Sequence, residues 1–194
     1  MKTFSRYPLS VSLLHWLLAI ALIANFAIGW VLEDQEELLA LHRSLGVLVL
    51  GLAAIRLLNR IRLNRRLPAS VNAAGTPAYK VEKATHFLLY ALMLAIPLLG
   101  WLKTNAAGRP VDVFGLFSLP MLMPRSHEFS YWLGQLHALT AYTLALLVGL
   151  HVLGALAHWV FKSENLIPRI LPLPERAEQV RHLNEAIKRK PATR

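Results

Sequence analysis

The residues of this chain whose type and spacing could do chemistry are histidines within one long apolar stretch. Trp132 to Phe161 is thirty residues without Asp, Glu, Lys or Arg, and it contains His137, His151 and His158. The first two are separated by close to four helical turns, so on a helix they share one face about 21 Å apart. His158 continues this face one heptad later. Such imidazoles either bind a metal or hydrogen-bond a neighbouring helix, and for any single one both interpretations stay open.

A membrane is the environment that accommodates this stretch. As a helix it would be roughly 45 Å long, enough to cross the hydrocarbon core. Together with three other apolar runs it predicts spans at about 11–32, 40–58, 84–102 and 132–161. The fold class is therefore an all-α membrane protein, a four-transmembrane-helix bundle occupying residues 1–172. The basic tail 173–194 is expected in the cytoplasm, with 175–190 either an amphipathic surface helix or a solvated segment.

Composition narrows the chemistry and sets the topology. With no cysteine, the chain cannot carry a CxxCH haem attachment site, a thiolate-bound iron–sulfur cluster or a disulfide. The net charge of +10 comes from lysines and arginines, seventeen of 21 of which lie at the N-terminus, between spans two and three, and in the tail. By the positive-inside rule these segments and both termini are cytoplasmic, and nucleic acid is not an expected partner.

This topology brings the histidines to matching depths. His15 lies about 25 Å below the outer end of span one, and His151 lies about 28 Å below Trp132. His42 opens span two on the outer side, and His137 is about 8 Å below Trp132. The sequence therefore predicts two bis-imidazole sites, one near each face of the membrane.

Two ligands at one depth favour haem over a zinc or copper ion, which usually takes three or four. We therefore expect two b-type haems. Arg43 outside and Arg56 inside are candidates to bind haem propionates, although either could instead snorkel to the interface. Glycines near the ligands of spans two and four would leave room for a porphyrin or serve ordinary helix packing: Gly46, Gly134, Gly149 and Gly154.

Four segments carry a family resemblance: SVSLLHW near the start, LHRSLG opening span two, THFLLYALMLAIPLLGW in span three, and LHALTAYTLALLVGLHVLGALAHWVF in span four. Over residues 5 to about 172 the chain resembles the bacterial cytochrome b561 family of four-helix, di-haem inner-membrane proteins. The resemblance implies that the axial ligands of the haem irons are His15, His42, His137 and His151.

The resemblance also implies an activity, electron transfer between ubiquinone and the periplasm. In the best-understood member, superoxide is oxidised to dioxygen with ubiquinone as acceptor. Candidates to bind the quinone beside the inner haem are His158, His86 and Lys83, and no residue is assigned as catalytic. The first outer loop is acidic, and its negative charge would repel a superoxide anion. The cations on the outer side that could attract the anion in spite of this loop are Arg43, Lys103, Arg109 and Arg125.

Three functions remain open on the sequence. The first is a self-contained superoxide:ubiquinone oxidoreductase. The second is a cytochrome b subunit that passes electrons between quinol and a periplasmic redox partner. The third is a haem-free transporter or metal-binding membrane protein, which would be colourless when purified.

Overall fold

The computed structural model describes residues 6–32, 35–162 and 166–172. Four long helices dominate it: α1 (Leu9–Trp30), α2 (Glu36–Arg62), α3 (Pro77–Ala106) and α4 (His127–Lys162). A two-stranded hairpin, β1 (Val111–Val113) and β2 (Phe117–Leu119), lies between α3 and α4, and a short α5 (Ile167–Ile170) follows α4. The tail segment 175–190, expected to be either a surface helix or a solvated segment, lies outside the described residues, as do Glu33 and Asp34 of the acidic first loop.

Each long helix is apolar enough to cross a membrane, which confirms the predicted four-helix membrane bundle. Three helices, α2, α3 and α4, extend beyond the predicted apolar runs at both ends, whereas α1 begins and ends two residues earlier than its run. α3, for example, begins seven residues before the predicted 84, where the Thr76 side chain accepts a hydrogen bond from the Tyr79 amide and Pro77 occupies the first turn. Hydropathy finds the membrane core of a helix, whereas local capping decides where the helix ends.

The packed core lies half-way along the bundle. α1 packs on α2, α2 on α3, and α3 on α4. Leu144 is 1% exposed and lies midway along α4 between His137 and His151, so the core separates two histidine layers. Large apolar side chains on the outside of the bundle, such as Ile20 and Leu146, are exposed and would face lipid. The core comprises Leu18, Ala21, Val49, Ala53, Leu89, Tyr90, Met93 and Leu144.

The two ends of the bundle differ. The basic end contains the connection from α2 to α3, with a 3-10 turn at Asn64–Arg66, and α5. The hairpin end contains β1 and β2, which pair antiparallel with Val111 opposite Leu119. Ser44 of α2 anchors this hairpin. Its hydroxyl oxygen accepts from the Phe114 amide (2.9 Å), and its one proton is shared between the Asp112 carbonyl (3.2 Å) and the Ala40 carbonyl of α2 (3.0 Å).

Candidate functional site

A histidine pair lies at the hairpin end, where α2 faces α4. The ring centroids of His42 and His137 are 6.1 Å apart. The Nδ1 atom of His42 donates to the carbonyl oxygen of Asn25 (3.3 Å), and that of His137 donates to the carbonyl oxygen of Ile96 (3.0 Å). With the proton fixed on Nδ1, each Nε2 keeps a lone pair for a metal.

Both rings of this hairpin-end pair rest on glycines of the neighbouring helices. A Cβ atom on Gly29 would lie 3.2 Å from Cε1 of His42, and one on Gly100 would lie 3.2 Å from Cε1 of His137. Each glycine lies four residues after the carbonyl that receives the Nδ1 proton. One turn of α1 thus provides His42 with a flat surface and a hydrogen-bond acceptor, and one turn of α3 provides the same for His137. We call these two equivalent turns the seats of the imidazoles.

A second pair, the basic-end pair, joins α1 to α4. The rings of His15 and His151 are 6.4 Å apart. A third imidazole, His86 of α3, lies 5.1 Å from His151 and donates from Nδ1 to the Glu82 carbonyl (2.8 Å). His15 and His151, which were predicted to be partners from their depth in the membrane, therefore lie together in the structure. The structure adds His86 to the same layer.

The spacing of both pairs fits one metal ion held between two imidazoles. A metal–imidazole bond is about 2 Å long, so two rings on opposite sides of an ion have centroids roughly 6 Å apart. Among the described residues no group of three or more His, Cys, Asp or Glu side chains is arranged to hold a metal ion. A cofactor that needs two protein ligands per iron, such as haem, suits these pairs better than zinc.

Arg56 is the charged side chain nearest the basic-end pair. Its Nη2 donates to Nδ1 of His15 (3.0 Å), and its guanidinium lies 5.1 Å from the centre of the Tyr90 ring. The Nε atom of Arg56 is buried without a hydrogen-bond partner. Were Nε2 of His15 to bind iron, Nδ1 would carry the proton, so the guanidinium would need a different acceptor. A haem propionate would satisfy both requirements.

A cavity of about 620 Å³ surrounds the hairpin-end pair. This volume lies in the range of small-molecule and cofactor sites. Arg109 also forms an ion pair with Glu36 (3.2 Å), so the acidic side chain that begins α2 is already engaged. The four lysines and arginines that fall outside the basic segments of the sequence all line this one cavity: Arg43, Lys103, Arg109 and Arg125.

A separate polar cavity of about 470 Å³, the basic-end cavity, opens between α3 and the connection that precedes it. Two of the three quinone candidates, His86 and Lys83, line it, together with Glu82 and Arg60. The third, His158, lies half-buried on α4 and is not among the lining residues. The structure therefore groups His86 with Lys83 in the lining of one cavity.

The glycines selected from the sequence have other neighbours. Gly46 faces the Asn25 side chain, and Gly134 faces the aliphatic part of Lys103. A Cβ atom added to Gly149 or Gly154 would have no heavy atom of another residue within 4 Å. His127, which was not a candidate from the sequence, lies in the lining of the hairpin-end cavity, with its Nε2 atom 3.3 Å from Nη2 of Arg125.

A family model for prokaryotic cytochrome b561 matches residues 6–173. The chain belongs to this family. Cytochromes b561 bind b-type haem and transfer electrons, so this chain is a multi-pass bacterial membrane protein of electron transport. The family assignment agrees with the paired histidines and with the four spans.

Curated relatives cover nearly the whole cytochrome. Cytochrome b561 homolog 2 of Escherichia coli is 29% identical over 88% of this chain and 93% of the relative. A probable superoxide oxidase CybB of Yersinia pestis is 27% identical over 82% of this chain and 92% of the relative. Cytochrome b561 homolog 1 of E. coli is 25% identical over 87% of this chain and 98% of the relative.

Sequence reasoning missed the supports of the histidines. The glycines selected from the sequence are on the helices that carry His42 and His137, whereas the glycines that contact the rings, Gly29 and Gly100, are on the facing helices α1 and α3. A usable signal was present, because both glycines lie near the C-terminal ends of their helices, at the level of the pair. Glu82 was also missed, although it lies four residues before His86 on one helix face.

Proposed function

We propose that this cytochrome oxidises superoxide at the hairpin end and reduces ubiquinone at the basic end. The observation that carries the proposal is the convergence of Arg43, Lys103, Arg109 and Arg125 on the cavity that holds His42 and His137. Lysines and arginines elsewhere fall in the segments that set topology, so this set is available to attract an anion. The name of the Yersinia relative points to the same substrate.

Two haems b would be held, one by each pair. His42 and His137 are the proposed axial ligands at the hairpin end, and His15 and His151 those at the basic end. Bound there, the haems carry one electron at a time across the membrane. Arg56 is the proposed partner of a propionate, since among the described residues its buried Nε has no hydrogen-bond partner. Arg43, the other candidate, lines the hairpin-end cavity and is assigned to the attraction of superoxide there instead.

The proposed orientation places the basic end and both termini in the cytoplasm and the hairpin in the periplasm. The segment from Arg56 to Lys83, which comprises the end of α2, its connection to α3 and the start of α3, carries seven lysines and arginines. Cytoplasmic loops of membrane proteins are enriched in these residues. Superoxide would therefore arrive from the periplasm and quinone protons from the cytoplasm.

The cations of the hairpin-end cavity have unequal roles in this proposal. Arg109 is neutralised in part by Glu36, so its contribution to the field should be small. Lys103 approaches Gly134 of α4, with its Cε atom 3.4 Å from the position of an added Cβ, and so lies next to the helix that carries His137. Lys103 and Arg43 are therefore expected to attract the anion most strongly.

Quinone is proposed to bind next to His86, with Lys83 and His158 as further contacts. Its support is the 5.1 Å contact between the rings of His86 and His151. His86 donates from Nδ1 to the Glu82 carbonyl, so its Nε2 keeps a lone pair that would accept a hydrogen bond from a hydroxyl of the quinol product. Two superoxide anions supply the two electrons, and quinone takes up two protons to become quinol.

Stopped-flow reduction of the haems by a superoxide pulse tests this function. The wild-type protein should be reduced faster than superoxide dismutates, and the rate should fall as salt shortens the Debye length below about 8 Å. Lys103→Gln and Arg43→Gln should slow the reaction more than Arg109→Gln. Arg65→Gln, at the opposite end, is the matched control and should have no effect.

Two results would contradict the proposal at different levels. If superoxide reduces the wild-type haems no faster than it dismutates, the protein is not a superoxide oxidase, and the electron-carrier function with a periplasmic redox partner replaces it. If reduction is fast but insensitive to salt and to all three substitutions, superoxide is the donor and the steering role of the cations is wrong.

A further inference from the structure

The short helix α5 lies between the two helices that carry the basic-end pair. It follows α4, which carries His151, and it packs against α1, which carries His15. Its arginine, Arg169, is only 6% exposed. A charged side chain is rarely buried to this extent unless it is paired or hydrogen-bonded, so the contacts of Arg169 indicate what α5 holds in place.

Arg169 connects α5 to two other segments of the basic end. Its Nη2 atom donates to the carbonyl oxygen of Ala69, in the connection between α2 and α3 (3.0 Å). Its guanidinium lies 5.7 Å from the centre of the Tyr7 ring, and its backbone carbonyl accepts from the Tyr7 amide (3.0 Å). Tyr7 comes two residues before α1. One arginine therefore holds α5 against both the start of α1 and the α2–α3 connection.

Trp16 forms a second link between α1 and α5, directly after His15 in the chain. Its Nε1 atom donates to the carbonyl oxygen of Ile170 (2.9 Å). Consecutive residues of an α-helix point about 100° apart, so this bond holds a side of α1 next to the side that carries His15. Because α1 is fixed at Tyr7 and again at Trp16, its rotation about its own axis is restrained, and so is the direction of His15.

The basic-end pair needs such a restraint more than the hairpin-end pair does. His42 and His137 each donate to a backbone carbonyl of a neighbouring helix. In the part of the chain that the structure describes, neither ring of the basic-end pair has a backbone carbonyl as partner, and the ring nitrogen of His15 contacts Arg56 instead. In addition, α1 packs chiefly on α2 and α4 on α3, so His15 and His151 belong to different helix pairs.

We infer that α5 is a clasp that keeps His15 opposite His151, with Arg169 and Trp16 as its positioning residues. The inference rests on the haem ligands in the proposed function and is independent of the proposed substrates. With both imidazoles bound, neither axial position of the iron is free for a small gas ligand such as carbon monoxide. Loosening the clasp lets the His15 ring turn away and opens one of these positions.

Carbon monoxide binding to the haem-loaded, full-length protein reduced with dithionite tests this inference. Trp16→Phe removes the indole N–H and keeps an aromatic ring, and Arg169→Gln removes the charged donor. Wild type should give no carbon monoxide difference spectrum, whereas each variant should give one that accounts for at most one of the two haems per chain. Arg169→Lys, which keeps a charged donor, should give a smaller signal than Arg169→Gln.

Haem transfer to excess apomyoglobin provides a second measurement. One of the two haems should leave Arg169→Gln about tenfold faster or more than it leaves wild type, because a hydrogen bond from a charged donor is worth about that factor. The other haem, at the hairpin end, should leave both proteins at the same rate. Should Arg169→Gln fail to accumulate, the milder Trp16→Phe decides the test alone.

Two exposed residues near the basic end provide matched controls. Trp159→Phe changes an exposed tryptophan of α4, and Arg66→Gln removes an exposed arginine from the turn after α2. Both should bind no carbon monoxide, like wild type. A signal in either control equal to that of Arg169→Gln would mean that any change at this end loosens the pair, and the clasp would be wrong.

The remaining outcomes separate this inference from the function on which it rests. If wild type contains no haem, the proposed ligands themselves are wrong. If wild type contains both haems and neither Trp16→Phe nor Arg169→Gln binds carbon monoxide, the ligands stand and α5 is not a clasp. A signal equal to both haems would show that the whole bundle has loosened, and it would equally overturn the inference.

Discussion

At the scale of single residues, the glycines beneath the imidazoles matter as much as the imidazoles. Gly29 and Gly100 each leave space for a histidine ring that an added Cβ would approach to 3.2 Å. Carbon atoms in ordinary contact are about 3.5–4.0 Å apart, so an alanine would push the ring away. Each ring would also lose alignment with the carbonyl that fixes its tautomer.

We therefore expect Gly29→Ala and Gly100→Ala to weaken haem binding at the hairpin end without affecting the basic end. Absorbance spectra and haem-to-protein ratios of the purified variants measure this effect. Gly51→Ala is the control, because a Cβ there has no neighbour within 4 Å and alanine favours the helix. Full haem content in both ring-contacting variants would show that the seats are dispensable.

The histidine pairs could be predicted because the α-helix has a fixed period. His137 and His151 share a face because of helical geometry, and their partners could be found by counting depth from the ends of apolar runs. Which ring contacts which backbone depends on how each helix is rotated about its own axis. Helices rich in leucine and alanine are apolar on every face, so their sequences do not indicate that rotation. Arg56 illustrates the limit: its place near the basic-end pair was predictable, but its contact with Nδ1 of His15 was not.

At the scale of elements, the hairpin between α3 and α4 was not predicted. Its strands have three residues each, and the surrounding Pro- and Gly-rich segment resembles a loop in sequence. Its position depends on a tertiary contact, since the Ser44 hydroxyl of α2 donates to one hairpin carbonyl and accepts from one hairpin amide. The hairpin thereby lies close to the entrance of the hairpin-end cavity, where Val111 contributes to the lining.

Ser44→Ala should release this hairpin. The substitution removes a partly buried hydrogen bond to the Phe114 amide, and such a bond contributes about 0.5–1.5 kcal/mol to stability. We expect haem at the hairpin end to be lost at a lower temperature, followed by absorbance during heating. Thr143→Ala, whose hydroxyl bonds only within α4 to the Leu139 carbonyl, is the matched control. Equal melting of the two variants would mean that Ser44 does not anchor the hairpin.

At the scale of the whole molecule, the proposed direction of electron flow depends on which end faces the cytoplasm. The chain has no cysteine, so single cysteines report orientation cleanly. Leu116→Cys places a thiol at the hairpin, where the side chain is 80% exposed, and Arg65→Cys places one at the basic end. A membrane-impermeant maleimide added to spheroplasts should label the first and spare the second. The reverse pattern would put the superoxide site in the cytoplasm.

The central claim is that one chain holds two b haems between two histidine pairs. A pyridine haemochrome assay on the purified protein, normalised to protein concentration, tests this claim directly. Wild type should contain two haems per chain. His15→Ala and His151→Ala should each contain one, with the hairpin-end spectrum retained, because the two pairs share α4 but no ligand. One haem or none in the wild type, or loss of both haems on removing a single basic-end histidine, would contradict the two-site arrangement.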